Sequence, residues 1–329
     1  LAGVFKTAKD RGANKVYGML HGIQGLLQER YVDLEDHIKN DLDIELLKRT
    51  PSAYLGSCRF KLPDISQDRE IYDKIFDILN KLEIEYFFYI GGNDSMDTIK
   101  KLSDYAILNG STIKFMGVPK TIDNDLAVTD HTPGCGSAAK YIASITKEVI
   151  RDGLVYGTKS VTILEIMGRN AGWLTGAAAL AKGEDCEGPD MIFLPEIPFD
   201  VDEFMKKIEQ LQKEKSSVVV AVSEGVKVAD GRYVCELTDN IDYVDAFGHR
   251  QLTGTARYLA ERISREVGCK TRAIEFNSLQ RCASHIVGRV DITEAFQVGG
   301  AAVKAAFEGE TAKMIILKRI SDDPYLCVT

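Results

Sequence analysis

Seven short apolar segments alternate with amphipathic helical patterns, and this alternation constrains the fold more than any other feature of the chain. The apolar segments lack the one-in-two pattern of a strand with one exposed face, so they suit central strands of a parallel sheet. They cover residues 15–20, 86–90, 113–118, 161–166, 191–194, 218–222 and 314–317. The helical patterns cover residues 71–82, 96–108, 137–151, 172–181, 201–213, 252–266 and 293–308. This order predicts an α/β fold with right-handed crossovers.

Composition narrows the class of protein. A chain of 329 residues, 45% of them hydrophobic, is long enough for two domains with separate cores. Its net charge of -8 argues against a nucleic-acid partner, which requires a basic face. The seven cysteines are scattered without a Cys-x-x-Cys pair, which favours a reducing cytoplasm over a disulfide framework or a zinc site. No apolar run reaches the ~18–20 residues that span a bilayer, so we expect no membrane association.

Ligands of open α/β sheets bind beyond the carboxyl ends of the strands, so the residues that follow each apolar segment are candidate site residues. The first group is Gly91, Gly92, Asn93, Asp94 and Ser95. Two glycines permit close approach of a ligand to the backbone, and the helix start that follows offers free N–H groups to an anion. An ordinary strand–helix turn with a polar cap explains this group equally well when it is taken alone.

The second group lies in residues 119–125, also after a strand. Asp123 and Asp125 are two residues apart and close in sequence to Lys120 and Thr121. One carboxylate can take a proton from a hydroxyl nucleophile, while the other orients that nucleophile or approaches a metal. Lys120 is a mobile positive charge suited to phosphoryl oxygens. The alternative is a polar turn rich in Asp and Asn, and the second strand-end group nearby favours a site over that alternative.

Three further groups of candidate site residues give weaker evidence of a site. Gly168 and Arg169 offer close approach and a fork of hydrogen-bond donors, and Glu224 offers an acceptor for sugar hydroxyls. Arg272 and Arg281 form a possible phosphate clamp, although surface ion pairs are the commoner fate of arginine. The sequence has no Walker A motif, which disfavours a P-loop kinase. The five histidines show no metal-ligand spacing, and we interpret them as structural or solvent-facing: His21, His37, His131, His249 and His285.

These motifs, in this order, resemble the 6-phosphofructokinase family from residue 1 to about residue 319. The resemblance is closest to the branch that uses pyrophosphate, because Asp94 and Lys120 stand where ATP-dependent members have glycine. In the family, Asp94 would lie where the α-phosphate of ATP is otherwise bound. Two like charges about 4 Å apart repel by roughly 4 kcal/mol at an effective dielectric constant near 20. The resemblance therefore implies pyrophosphate as the donor.

The resemblance also implies the role of each site residue. Asp123 is the general base for the 1-hydroxyl of fructose 6-phosphate, Asp125 assists it, and Lys120 stabilises the transferred phosphate. The implied sugar-phosphate ligands are Thr121, Asp123, Met167, Gly168, Arg169, Glu224, Arg281 and, from a neighbouring subunit, Arg272. The implied donor ligands are Arg59, Gly91, Gly92, Asn93, Asp94 and Ser95. Magnesium would bridge the donor phosphates, with Asn93 where the family has a metal-associated Asp.

At the level of the whole molecule, the resemblance implies two Rossmann-like three-layer domains with mainly parallel sheets. The expected donor domain comprises residues 1–136 and 280–329, and the expected fructose 6-phosphate domain comprises residues 137–279. We also expect a strand and a Gly-Gly phosphate loop to precede Leu1, a further segment to follow Thr329, a homodimer or homotetramer, and a cytoplasmic role in glycolysis. Two alternatives stay open: an ATP-dependent 6-phosphofructokinase, and a non-catalytic regulatory protein that binds sugar phosphates.

Overall fold

The computed structural model describes residues 1–237 and 252–329, so His249 lies outside the described residues. The helices are α1 (Ala2–Asp10), α2 (Gly22–Leu27), α3 (Leu34–His37), α4 (Asp41–Lys48), α5 (Arg69–Lys81), α6 (Asn93–Asn109), α7 (Cys135–Gly153), α8 (Trp173–Gly176), α9 (Val201–Glu214), α10 (Thr255–Glu266) and α11 (Arg289–Phe307). The strands are β1 (Tyr17–Met19), β2 (Tyr31–Asp33), β3 (Tyr86–Gly91), β4 (Lys114–Pro119), β5 (Ser160–Ile166), β6 (Met191–Phe193), β7 (Ser217–Ser223), β8 (Lys270–Glu275), β9 (Lys313–Met314), β10 (Lys318–Asp322) and β11 (Tyr325–Val328). Short 3-10 helices cover Ala177–Ala181, Val234–Leu237, Asn277–Arg281 and Ser284–Ile286.

The chain forms two compact units. The first unit comprises residues Leu1–Thr121, Asp125–Gly134 and Gly288–Thr329. The second unit comprises residues Ile122–Asn124 and Cys135–Val287. Residues 119–125, which carry the candidate catalytic groups, are therefore divided: Lys120, Thr121 and Asp125 belong to the first unit and Asp123 to the second.

The second unit is built on a four-stranded parallel sheet in the order β6-β7-β5-β8. Successive residues of its central strands point to opposite faces. Val161 and Ile163 of β5 pack with residues of α9 and α10, while Leu164 and Ile166 pack in a separate cluster with residues of α7 and α8. Helices therefore cover both faces of the sheet, as the continuous apolar segments predict.

The first unit contains a three-stranded parallel sheet in the order β3-β4-β9. Phe87 and Phe115 pack in one core cluster with residues of α5 and α6. Met116 and Val118 pack in a second cluster with residues of α1 and α11. This arrangement is again three-layered. The predicted α/β class with mainly parallel sheets is confirmed.

Several elements differ from the sequence-based prediction. Residues 15–20 were expected to form a central parallel strand, but β1 pairs with β2 in a two-stranded antiparallel ribbon. The segment 314–317 forms only the end of β9, and β8 was not predicted at all. The predicted helix 172–181 is split at Gly176 into α8 and a 3-10 helix. In the part of the chain that the structure describes, no helix has the length and apolar character needed to cross a membrane.

Candidate functional site

The turn from β3 into α6 brings Gly91, Asn93 and Asp94 together. Gly91 ends β3, and Gly92 is the N-cap of α6. A Cβ atom on Gly91 would lie 2.0 Å from Ser95 Oγ, so the close turn requires glycine at this position. Asp94 lies in the first turn of the 17-residue α6, and both Asn93 and Asp94 are exposed. The turn therefore presents polar groups beside the positive end of a long helix.

The neighbouring strand places Lys120 at the same edge of the sheet. Gly91 is paired with Pro119, the last residue of β4. The backbone N–H of Lys120 donates to the carbonyl oxygen of Gly91 at 2.9 Å. Lys120 is exposed, and a Cβ atom on Gly92 would lie 3.6 Å from Thr121 Cβ. Gly91 and Gly92 of the first strand-end group are thus adjacent to Lys120 and Thr121 of the second, within the first unit.

A hydrogen bond links the two groups directly, since Asn93 Nδ2 donates to Asp125 Oδ2 at 2.8 Å. Both residues are exposed. An amide oxygen and a carboxylate are hard oxygen ligands of the kind that Mg²⁺ prefers, and the bond holds the two side chains next to one another. The pair therefore fits the magnesium that the resemblance implies, and Asp125 supplies the charge that Asn93 lacks.

In the second unit, Glu224 is the centre of a charged cluster. Burial raises the pKa of Glu224 to about 7, against the hydrogen bond from the Gly168 N–H and the positive charge of Arg169, which lower it. The charges of Asp123 and Arg281 also act on the Glu224 carboxyl, Asp123 raising its pKa and Arg281 lowering it. The structure thus brings together Asp123, Gly168, Arg169, Glu224 and Arg281, which lie in four separate parts of the sequence.

Two loops of this cluster are locked against each other. Ser223 Oγ donates to the carbonyl oxygen of Gly168 at 2.6 Å. A Cβ atom on Gly225 would lie 2.0 Å from the carbonyl oxygen of Arg169. Gly168 itself has φ of 141°, a conformation that favours glycine. Both glycines are therefore required for the loop after β5 to pack on the loop after β7, which sets Arg169 beside Glu224.

Two residues with a clear part in this cluster were missed at the sequence level. Gln280 is buried, and its Oε1 accepts a hydrogen bond from the Met167 N–H at 3.3 Å. Glu165 is 4% exposed and accepts from the Ala256 N–H at 2.7 Å and the Gly254 N–H at 3.3 Å, at the start of α10. The only sign of these two residues in the sequence was their position. Glu165 lies two residues before Met167, and Gln280 directly precedes Arg281.

Three arginines that were predicted to bind phosphate lie on different elements of the chain. Arg272 is in β8, an edge strand of the second sheet, and is half-buried. Arg281 ends the 3-10 helix Asn277–Arg281 and is exposed. Arg59 is exposed in the first unit, on the segment between α4 and α5. Arg272 is only half-buried and β8 is an edge strand, and its contact with a second subunit stays a prediction.

Comparisons with known proteins identify the family. The Phosphofructokinase family profile matches residues 1–306. The chain is 40% identical to a pyrophosphate–fructose 6-phosphate 1-phosphotransferase of Halomonas elongata over 318 residues, 96% of this chain and 74% of the relative. It is 41% identical to a protein of the same name from Xanthomonas campestris over 326 residues, 98% of this chain and 77% of the relative.

A solved structure agrees with these matches. The crystal structure of a pyrophosphate-dependent phosphofructokinase from Marinobacter aquaeolei superimposes with a TM-score of 0.84 at 36% identity, over 99% of this chain and 76% of that one. The resemblance drawn from the motifs is confirmed over nearly the whole sequence. The chain belongs to the phosphofructokinase family.

Proposed function

We propose that this protein transfers a phosphoryl group reversibly from pyrophosphate to the 1-hydroxyl of fructose 6-phosphate. The observation that carries this proposal is that Asp94, in the first turn of α6 after β3, and Lys120, directly after β4, lie at the same edge of the sheet. The names of the relatives at about 40% identity support the same donor and acceptor.

The donor side of the proposal rests on charge. Asp94 is a carboxylate in the first turn of α6, and it disfavours the additional phosphate charge that ATP would bring to this position. Pyrophosphate has no group there. Lys120 supplies a positive charge at the same sheet edge, where it stabilises the negative charge that develops on the transferred phosphoryl group. Gly91, Gly92 and Ser95 shape the turn that accepts the donor, and Arg59 is its further proposed ligand.

The acceptor side rests on the cluster around Glu224. Asp123 takes the proton of the 1-hydroxyl, and the hydroxyl oxygen then forms its bond to phosphorus as the bridging P–O bond of pyrophosphate breaks and phosphate leaves. Asp125 assists by orienting the hydroxyl. Arg169 and Arg281 bind the 6-phosphate through charge-assisted hydrogen bonds. Thr121, Met167, Gly168 and Glu224 contact the sugar in this proposal.

Magnesium fits the pair Asn93 and Asp125, and when bound it would neutralise charge on the pyrophosphate oxygens. Within the pair, the Asn93 side chain donates to Asp125 and so fixes the direction of that carboxylate. Asn93 thus acts chiefly by orienting a charged neighbour.

The oligomeric state, the cellular compartment and the pathway of this protein are also proposals. Arg272 on the edge strand β8 would complete the 6-phosphate site of a second subunit, which requires at least a homodimer. None of the seven cysteines, all of which lie in the described residues, forms a disulfide, which supports a reducing cytoplasm. The reaction places the protein in glycolysis or its reversal.

The test is a donor comparison on the purified protein with fructose 6-phosphate and magnesium. We expect fructose 1,6-bisphosphate with pyrophosphate and little with ATP, and expect pyrophosphate to form when the product and phosphate are supplied. Preference for ATP would replace this proposal by the ATP-dependent kinase. Sugar-phosphate binding without turnover on either donor would support the regulatory alternative.

A further inference from the structure

The segment after Asp125 folds back to Thr121, and we call residues 126–134 the return limb. Gly134 and Thr121 form a parallel β-bridge. Thr132, which is fully buried, donates from its Oγ1 to the carbonyl oxygen of Thr121 at 2.8 Å. The position of Thr121 therefore depends on the position of the return limb, within the first unit.

Helix α11 holds the return limb through two buried carboxylates. Asp291 Oδ1 accepts from the Gly134 N–H at 2.7 Å. Glu294 Oε2 lies 2.7 Å from His131 Nε2. Asp291 and Glu294 are three residues apart, on one face of the first turns of α11, and are 8% and 5% exposed. The helix thus fixes the limb at two points.

His131 lies between two carboxylates. Its Nδ1 is 2.8 Å from Asp130 Oδ2, while its Nε2 faces Glu294. A neutral imidazole has one N–H, whereas two carboxylate acceptors require two, so the geometry is that of an imidazolium. Arg319 of β10 pairs with Asp130 at 3.0 Å, so the two carboxylates are balanced by two cations.

Strand β11 also contributes side chains next to His131 and Glu294. Tyr325 Oη donates to Glu294 Oε1 at 2.6 Å. Ligand atoms of Asp130, His131 and Cys327 lie within 4.8 Å of one another, a grouping that also suits a metal. However, both ring nitrogens of His131 are already engaged by carboxylates and Asp130 is paired with Arg319, so the local charges balance without an ion.

We propose that His131 is a positioning residue of the active site, whose bridge from Asp130 to Glu294 fixes the return limb on α11 and thereby holds Thr121 in place for the sugar. The functional consequence rests on the proposed function, in which Thr121 contacts fructose 6-phosphate.

The bridge makes sugar recognition depend on pH. Burial lowers the pKa of His131, but hydrogen bonds from the ring to Glu294 and Asp130 outweigh burial, and the net pKa is raised above 6.5. The bridge is complete at low pH and is lost as pH rises through this raised pKa. A deprotonated ring nitrogen then faces a carboxylate lone pair, and the limb loses one of its two attachments to α11.

The experiment compares wild type with His131→Gln, measuring kcat/KM for fructose 6-phosphate between about pH 6 and about pH 9. We expect the variant to be about tenfold lower at the acidic end, the cost of losing a charged hydrogen bond, and the ratio of wild type to variant to fall toward unity at the alkaline end. Taking the ratio removes the titration of the substrates and of other groups. His285→Gln, an exposed histidine on a 3-10 helix, is the matched control with an expected ratio near one throughout.

Two results would overturn the inference: a ratio that does not change with pH, or equal activity of wild type and His131→Gln. A merely structural histidine would lower thermal stability without a pH-dependent ratio. Should the variant fail to fold, nitrogen NMR of His131 in the wild type still decides the matter, since a neutral ring at about pH 6 contradicts the bridge. The proposed function is tested separately in the same series, because it fails if the wild type shows no turnover with pyrophosphate.

Discussion

The backbone N–H of Lys120 donates to the carbonyl oxygen of Gly91 at 2.9 Å, which ties the end of β4 to the end of β3. Because this bond is formed by the main chain, it sets where the Lys120 side chain starts whatever that side chain is. The ammonium group therefore emerges at the same sheet edge as the first turn of α6, where Asp94 lies.

Replacement of Lys120 by Gly should keep the fold and remove the charge. We expect kcat with pyrophosphate to fall by about 10² to 10³, the range found when one transition-state donor is removed. Steady-state kinetics measures this loss. Lys100→Ala is the matched control, because Lys100 is exposed on α6 and pairs with Asp104 at 2.7 Å. Equal kcat for wild type and Lys120→Gly would contradict the proposed role.

Replacement of Asn93 by Asp should exchange a hydrogen bond for a repulsion. The variant places two carboxylates side by side, so we expect the free energy of unfolding without magnesium to fall by about 1–2 kcal/mol. Magnesium should restore that stability, because it binds two carboxylates more strongly than one. Thermal unfolding with and without MgCl₂ tests both statements.

A matched double variant sharpens this test. Asn93→Asp together with Asp125→Asn reverses the donor and acceptor of the 2.8 Å hydrogen bond and keeps one negative charge. It should recover the stability that the single variant loses in the absence of magnesium. If the single variant is no less stable than wild type without magnesium, the two side chains are not neighbours in solution.

Replacement of Glu224 by Gln should weaken the binding of fructose 6-phosphate and change its pH dependence. Burial raises the pKa of Glu224 to about 7, so the carboxylate, the stronger acceptor for sugar hydroxyls, forms as pH rises through about 7. The ratio of kcat/KM for wild type over variant should therefore increase across this range. A ratio that is flat with pH would argue that the Glu224 charge does not contact the sugar.

Replacement of Glu165 by Gln tests the second buried carboxyl through stability. Burial raises the pKa of Glu165 from 4.5 to about 7. Between these values the folded protein binds more protons than the unfolded chain, so the free energy of unfolding decreases as pH rises, by up to about 1.4 kcal/mol per pH unit. Glu224 adds a decrease of the same sign. Urea unfolding at several pH values should show a smaller decrease in Glu165→Gln, and an unchanged slope would refute the raised pKa of Glu165.

The buried strands were predicted well because burial on both faces leaves a direct mark on sequence. Strands β3 and β7 lie within one residue of the apolar segments that predicted them. Strand β8 was missed because it is an edge strand whose residues are all exposed or half-buried, and its sequence includes Lys270, Arg272 and Glu275. Polar edge strands leave no apolar segment to detect.

Residues with a proposed role on a ligand could be singled out from the sequence, and that role stays a prediction. Residues that bond only to other parts of the protein were missed. Asp94, Lys120 and Asp123 stand at strand ends, and that position can be read from the sequence. His131 bonds to Glu294, 163 residues away, and Gln280 to Met167, 113 residues away. Only the folded chain brings such partners together.

The most direct measurement of the central claim is the donor preference of the double variant Asp94→Gly with Lys120→Gly. It is expressed as the ratio of kcat/KM for pyrophosphate to kcat/KM for ATP, with fructose 6-phosphate and magnesium held constant. Removing the carboxylate lifts a repulsion of roughly 4 kcal/mol against ATP, and removing the lysine weakens transfer from pyrophosphate. We predict that the ratio falls by at least about a hundredfold relative to wild type. A pyrophosphate rate equal to that of wild type, with an unchanged ratio, would contradict the assignment of pyrophosphate as the donor.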